Sequence, residues 1–62
     1  MKEYKMVVFD KRNKAIVYQH KTNDFETLKK WVDMYFDACS IYPFYRYETY
    51  LKTYEDGHQI FF

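Results

Sequence analysis

Asp56-Gly57 stands between a long run of Tyr, Thr, Phe and Leu (44–54) and the apolar end His58-Gln59-Ile60-Phe61-Phe62, and Gly57 is the only glycine of the 62-residue chain. An Asp-Gly pair between strand-forming runs is the strongest short-range hairpin signal, because glycine accepts a positive φ at no steric cost. A two-residue turn there pairs Tyr54 with Gln59, Thr53 with Ile60 and Leu51 with Phe62. Tyr45, Tyr47, Thr49, Leu51, Ile60 and Phe62 then share one face. Phe44, Arg46, Glu48, Tyr50, Lys52, Tyr54 and Phe61 share the other.

The first third of the chain predicts a second hairpin. Met6-Val7-Val8-Phe9 and Ala15-Ile16-Val17-Tyr18 are rich in strand formers, with Asp10-Lys11-Arg12-Asn13-Lys14 between them. A three-residue loop, Lys11 to Asn13, puts Asn13 at the left-handed position and pairs Asp10 with Lys14 and Glu3 with Lys21, both opposite in charge. That register places Tyr4, Met6, Val8, Ile16, Tyr18 and His20 on one face, and Lys5, Val7, Phe9, Ala15, Val17 and Gln19 on the other.

The middle predicts a helix. Asn23 reads as its N-cap, with Glu26 three residues on as in a capping box. Phe25, Leu28, Val32, Phe36 and Cys39 recur at helical spacing as the core stripe. Pro43 forbids helical geometry at Tyr42 and so ends the helix. The resulting order, ββαββ, predicts an α+β fold: one domain over residues 1–62, a four-stranded antiparallel sheet with one helix packed on one face. Either edge of each hairpin can meet the other, so strand order stays open.

A chain this short buries only about 60% of its unfolded surface. A lone Cys39 offers no disulfide, and the thiol fits a reducing compartment. Fifteen aromatic residues supply a dense core instead, and they exceed what one helix over one sheet face hides. Two surfaces carry the surplus. One is a helix flank of Trp31, Met34, Tyr35 and Ala38. The other is the open sheet face with Phe9, Tyr50 and Tyr54. Contiguous exposed apolar surface of several hundred Å² marks interaction sites, and Trp and Tyr dominate binding hot spots.

Catalytic and cofactor chemistry find little support. His20, His58 and Cys39 lack zinc-ligand spacing, and Cys39 reads as a small buried hydrophobe. Glu55-Asp56 and the Asp33/Asp37 pair read as turn and solvated helix face. The one glycine leaves none for a phosphate loop. A non-enzymatic chain with no cofactor and no metal is expected. The apolar runs are far short of a bilayer span, and Met1-Lys2-Glu3-Tyr4-Lys5 reads as no secretory signal, so the expected location is the cytoplasm.

Net charge is +1, but residues 1–22 sum to +4 and residues 23–62 to −3. Lys11, Arg12 and Lys14 would steer an acidic partner. Phe, Tyr, Met, Ile, Asn and Lys make up 30 of the 62 residues, against 6 for Gly, Ala, Arg and Pro, the skew of AT-rich coding. Small Met-initiated chains of that composition fit accessory proteins of low-GC bacteria, their phages and mobile elements. The expectation is therefore a cytoplasmic, homodimer-forming protein-binding domain that sterically inhibits or modulates a larger host complex. Its anchors are Trp31, Met34, Tyr35, Tyr50 and Tyr54, with Lys11, Arg12 and Lys14 as the basic group. The alternative is a single-stranded nucleic-acid binder, in which Tyr42, Phe44, Arg46, Tyr50, Lys52 and Tyr54 interleave rings with cations, although Glu48 interrupts the row.

Overall fold

The computed structural model describes residues 2–62. Its elements are β1 (Tyr4–Asp10), β2 (Ile16–Thr22), α1 (Phe25–Ile41), α2 (Pro43–Glu48), β3 (Thr49–Glu55) and β4 (His58–Ile60). The four strands form one antiparallel sheet in the order β2-β1-β3-β4. This is the expected ββαββ fold with one added short helix. Strand β1 takes a central place because Met6-Val7-Val8-Phe9 is apolar on both faces, and Met6, Val7 and Val8 are all buried. No described helix is long and apolar enough to cross a membrane.

The β3–β4 hairpin forms as its turn chemistry dictates. Asp56 and Gly57 both take positive φ, 50° and 84°, the geometry of a type I′ turn. Thr53 faces Ile60 and Tyr54 faces Gln59. Strand β4 stops at Ile60, so the Leu51–Phe62 pair does not form and Phe62 stays 62% exposed.

The first hairpin departs from the charge-based register. Tyr4 faces Thr22 and Val8 faces Tyr18, but Phe9 faces Ile16, which leaves Val17 as an extra residue in a bulge. The shift turns Ile16 onto the Phe9 face, away from the core, where it is 52% exposed. Lys14, rather than Asn13, takes the positive φ. The Asn13 side chain accepts from the Ala15 N–H, and Asp10 accepts from the Arg12 N–H and guanidinium. These side-chain bonds hold a wider turn, so the Asp10–Lys14 and Glu3–Lys21 pairs do not set the register.

Helix α1 starts one residue later than expected. Asp24 is the N-cap, accepting from the Glu26 N–H (3.3 Å) and the Thr27 hydroxyl (2.7 Å). These bonds, with the Thr27 hydroxyl foremost, hold the Asp24 carboxyl below its usual range. Asn23 instead donates to the Lys2 carbonyl. Replacing Asp24 by alanine is expected to cost about 1 kcal/mol in urea unfolding. Asn23→Ala, which removes no cap, is expected to cost clearly less.

The helix also sits rotated from the expected stripe. Leu28, Val32 and Tyr35 are buried with Trp31 and Cys39 beside them, while Phe25 and Phe36 are 38% and 56% exposed. The core forms where Leu28 and Tyr35 meet Tyr4, Met6 and Val8. Tyr42 is extended before Pro43 and ends α1 as expected.

The segment from Phe44 to Glu48, expected as strand, is helical. Pro43 occupies the first turn of α2, where its missing N–H costs nothing and its fixed φ suits a helix. Arg46 donates to the Cys39 and Ser40 carbonyls at the end of α1, 3.0 and 3.2 Å away, which a strand would not allow. Tyr45 packs on the core from this helix, whereas Tyr47 is 65% exposed.

Candidate functional site

The sheet separates two ring-bearing surfaces. On the helix side, positions 31, 34, 38 and 41 fall on the β2-facing flank of α1 at helical spacing. Trp31 and Met34 line an open depression of about 270 Å³ with Met6, Tyr18, His20 and Tyr45. The His20 ring lies 5.2 Å from Trp31 and 5.5 Å from Tyr18. Met34 stands 65% exposed at its rim, and Ile41 and Tyr42 extend the apolar surface beyond it. A second groove of about 350 Å³ opens on the other side of α1, among Val32, Phe36, Leu51, Ile60 and Phe62.

On the opposite face no described helix covers the sheet. The alternation of β1 and β3 turns Lys5, Val7, Phe9, Tyr50, Lys52 and Tyr54 outward together. Phe9 and Tyr50 are cross-strand partners with rings 5.1 Å apart and nearly parallel. The Lys5 ammonium lies 5.0 Å above the Tyr54 ring, and Lys52 lies 5.8 Å from Phe9 and 5.9 Å from Tyr50. The rings and lysine stems together bury Val7.

The expected anchors are thus split. Trp31 and Met34 meet in the α1–β2 depression, and Tyr50 and Tyr54 sit behind them on the uncovered face. Tyr35 belongs to neither surface, because it is buried at 5% exposure with its hydroxyl 2.9 Å from that of Thr49. Its burial follows from the rotation of α1. Lys11, Arg12 and Lys14 lie in the β1–β2 turn at the sheet end. There Arg12 is held by Asp10 at 2.8 Å and Glu48 at 3.4 Å, so its charge is largely answered within the chain. The Arg12 guanidinium and N–H in turn hold the Asp10 carboxyl below its ordinary range.

The row from Tyr42 to Tyr54 also breaks. Tyr42, Phe44, Arg46 and Glu48 leave with α2, and Phe9, Lys5 and Lys21 take their place beside Tyr50, Lys52 and Tyr54. The sequence does not show Tyr18, His20 and Tyr45 as neighbours of Trp31: period two places each on a face, but the placement of α1 against β2 is not local.

Among the described residues no group of three or more His, Cys, Asp or Glu side chains is placed to hold a metal. Every buried side-chain nitrogen and oxygen described has a hydrogen-bond partner. What the two surfaces offer is ring faces, a thioether and ammonium groups, which bind through burial, stacking and charge. Comparison with protein-family models, curated proteins and solved structures returned no match.

Proposed function

We propose that the chain is a small non-enzymatic protein-binding domain that acts sterically, docking through the α1 flank around Trp31 and Met34. The observation that carries this reading is the exposure, among the described residues, of eleven large apolar side chains, Met34, Ile41 and Tyr42 among them. Apolar surface that extends along one helix flank and ends in a depression beside a half-buried Trp favours a partner that supplies an apolar side chain. The AT-rich composition fits an accessory protein, of the phage or mobile-element kind, that occludes a surface of a larger host complex.

A second copy of the chain is the simplest such partner, and light scattering over a concentration series tests it first. Met34→Asp places a charge at an exposed position and leaves the core intact. Wild-type protein is expected to gain mass with concentration, or to form a complex that survives reconstitution from purified components. Met34→Asp is expected to lose that association at unchanged circular dichroism. If wild type and Met34→Asp associate equally, or neither associates with anything, the reading fails. Tyr35→Ala is unsuited to this test, because it would open the core.

A further inference from the structure

We propose that the uncovered sheet face binds single-stranded nucleic acid, a function separate from docking through α1. The outward positions of β1, β2, β3 and β4 include Lys5, Lys21, Lys52, Gln19 and Gln59, and no Asp or Glu. Lys5 and Lys21 are direct cross-strand partners, a like-charge pair that destabilises an antiparallel ladder unless an anion answers it. Among the described residues none of the three lysines is in an ion pair, while the carboxylates Asp10, Glu48 and Glu55 pair at the sheet ends and Glu26 pairs on the helix. Within the strands the face is therefore one-signed in a chain of nearly balanced charge, with Glu3 and Asp56 at the turn beyond its Lys5–Tyr54 end, and it calls for an anionic ligand.

The rings select among anions. Phe9 and Tyr50 form one near-parallel platform, and Tyr54 stands four residues further along the same strand, roughly 13 Å away. A lysine lies between or above each. A ligand that alternates flat rings with negative charge matches this order. Nucleic-acid single strands do so, since every base presents a π-face and every linkage a phosphate. An acidic peptide matches the charge alone, and a duplex keeps its base faces stacked inside. In the free protein the ammonium groups rest on the rings. A phosphate offers each a stronger charge-assisted partner, and the exchange frees the ring faces for bases.

Fluorescence anisotropy with labelled oligo-dT and oligo-U, a duplex of equal length and polyglutamate tests this in the full chain. Three phosphate contacts predict a slope of log K against log salt of about −2, or on the order of a twentyfold loss of affinity for a fourfold rise in salt. Tyr50→Leu with Tyr54→Leu, which keeps the face apolar, is expected to weaken binding at least about tenfold. Lys5→Gln with Lys52→Gln is expected to flatten the slope to about −0.7, and this second variant decides the matter if the first fails to fold. Met34→Asp, on the other side of the sheet, is expected to bind as wild type does, so this test stands or falls apart from the docking reading. Polyglutamate or duplex binding as strong as the single strand would overturn the proposal in favour of an acidic protein surface or plain charge. Undiminished affinity in a folded Tyr50→Leu/Tyr54→Leu protein would overturn it as well.

Discussion

Leu28→Ala is expected to remove most of the folding stability, at a cost of about 3–5 kcal/mol. Leu28 has no solvent exposure and packs among Tyr4, Met6, Val8 and Tyr35, where helix and central strand meet. Truncation there loses the transfer free energy of the side chain and leaves a cavity that the rings around it, locked by their own contacts, fill only in part. A domain of 62 residues has roughly 3–9 kcal/mol to lose. The variant should therefore melt at least about 12 °C below wild type, or be unfolded at room temperature. Phe36→Ala provides the contrast. The spacing of Phe25, Leu28, Val32, Phe36 and Cys39 makes Phe36 a core residue, but the structure leaves it 56% exposed. Its loss is expected to cost under about 1 kcal/mol. Thermal or urea unfolding of the two variants measures the rotation of α1 directly. Equal losses would mean that the helix lies on the sheet as its sequence stripe suggests, and not as described.

The same helix shows what was legible in the sequence and why the rest was not. Its existence, its acidic first turn and its end before Pro43 are local properties, carried by capping and by φ restriction. Its facing is not local. Apolar residues cover about 200° of its circumference, so two stripes, one through Phe25 and Phe36 and one through Trp31 and Tyr35, fit the same periodicity. Which one is buried depends on where β1 and β2 lie beneath it, and strand order is decided by contacts far apart in sequence. Pro43 carries a similar ambiguity. As a stop signal for α1 it was plain, but the same ring geometry starts a helix, and Arg46 capping the α1 carbonyls overrides the strand propensity of Phe44, Tyr45 and Tyr47. In the Asp56-Gly57 hairpin the turn alone sets the register, so the Thr53–Ile60 and Tyr54–Gln59 pairs are legible, whereas the end of β4 at Ile60, which leaves Leu51 and Phe62 unpaired, is not. The first hairpin departs from its charge-based register because cross-strand charge pairs, worth a few tenths of a kcal/mol each, yield to side-chain bonds that shape the turn. For the candidate surfaces the consequence is direct. Residue type alone marks Trp31, Met34, Tyr50 and Tyr54 as candidates, but which of them stand together follows from the bulge, the helix rotation and α2.

Alkaline pH should destabilise the protein through its buried phenols, Tyr35 above all. Burial pushes Tyr35 up to about 12, and burial likewise raises Tyr18 and Tyr4, the latter also through the Glu55 carboxylate. The Thr49 hydroxyl gives its single proton to the Tyr45 carbonyl at 2.6 Å, so at 2.9 Å it accepts from the neutral Tyr35 phenol. A group whose folded pKa is raised contributes stability in full below its unfolded value and loses it as pH rises through the folded one. For Tyr35 the window therefore runs from about pH 10, the ordinary tyrosine value, to about 12. Within it the unfolded chain gives up the proton and the folded chain keeps it, so unfolding releases protons, with a limiting slope of about 1.4 kcal/mol per pH unit per group. Tyr35→Phe separates this from general alkaline effects. Near pH 8 the variant is expected to be about 0.5–1.5 kcal/mol less stable than wild type, having lost one hydrogen bond while Thr49 keeps the Tyr45 carbonyl. Above pH 10 it has no phenol to ionise at position 35, so its stability falls less steeply and the two curves converge. Urea midpoints at stepped pH, with phenolate absorbance followed in parallel, record the convergence. Curves that stay parallel from pH 8 to 12 would show that the Tyr35 proton is not the one released, and with it that this hydroxyl is not buried against Thr49.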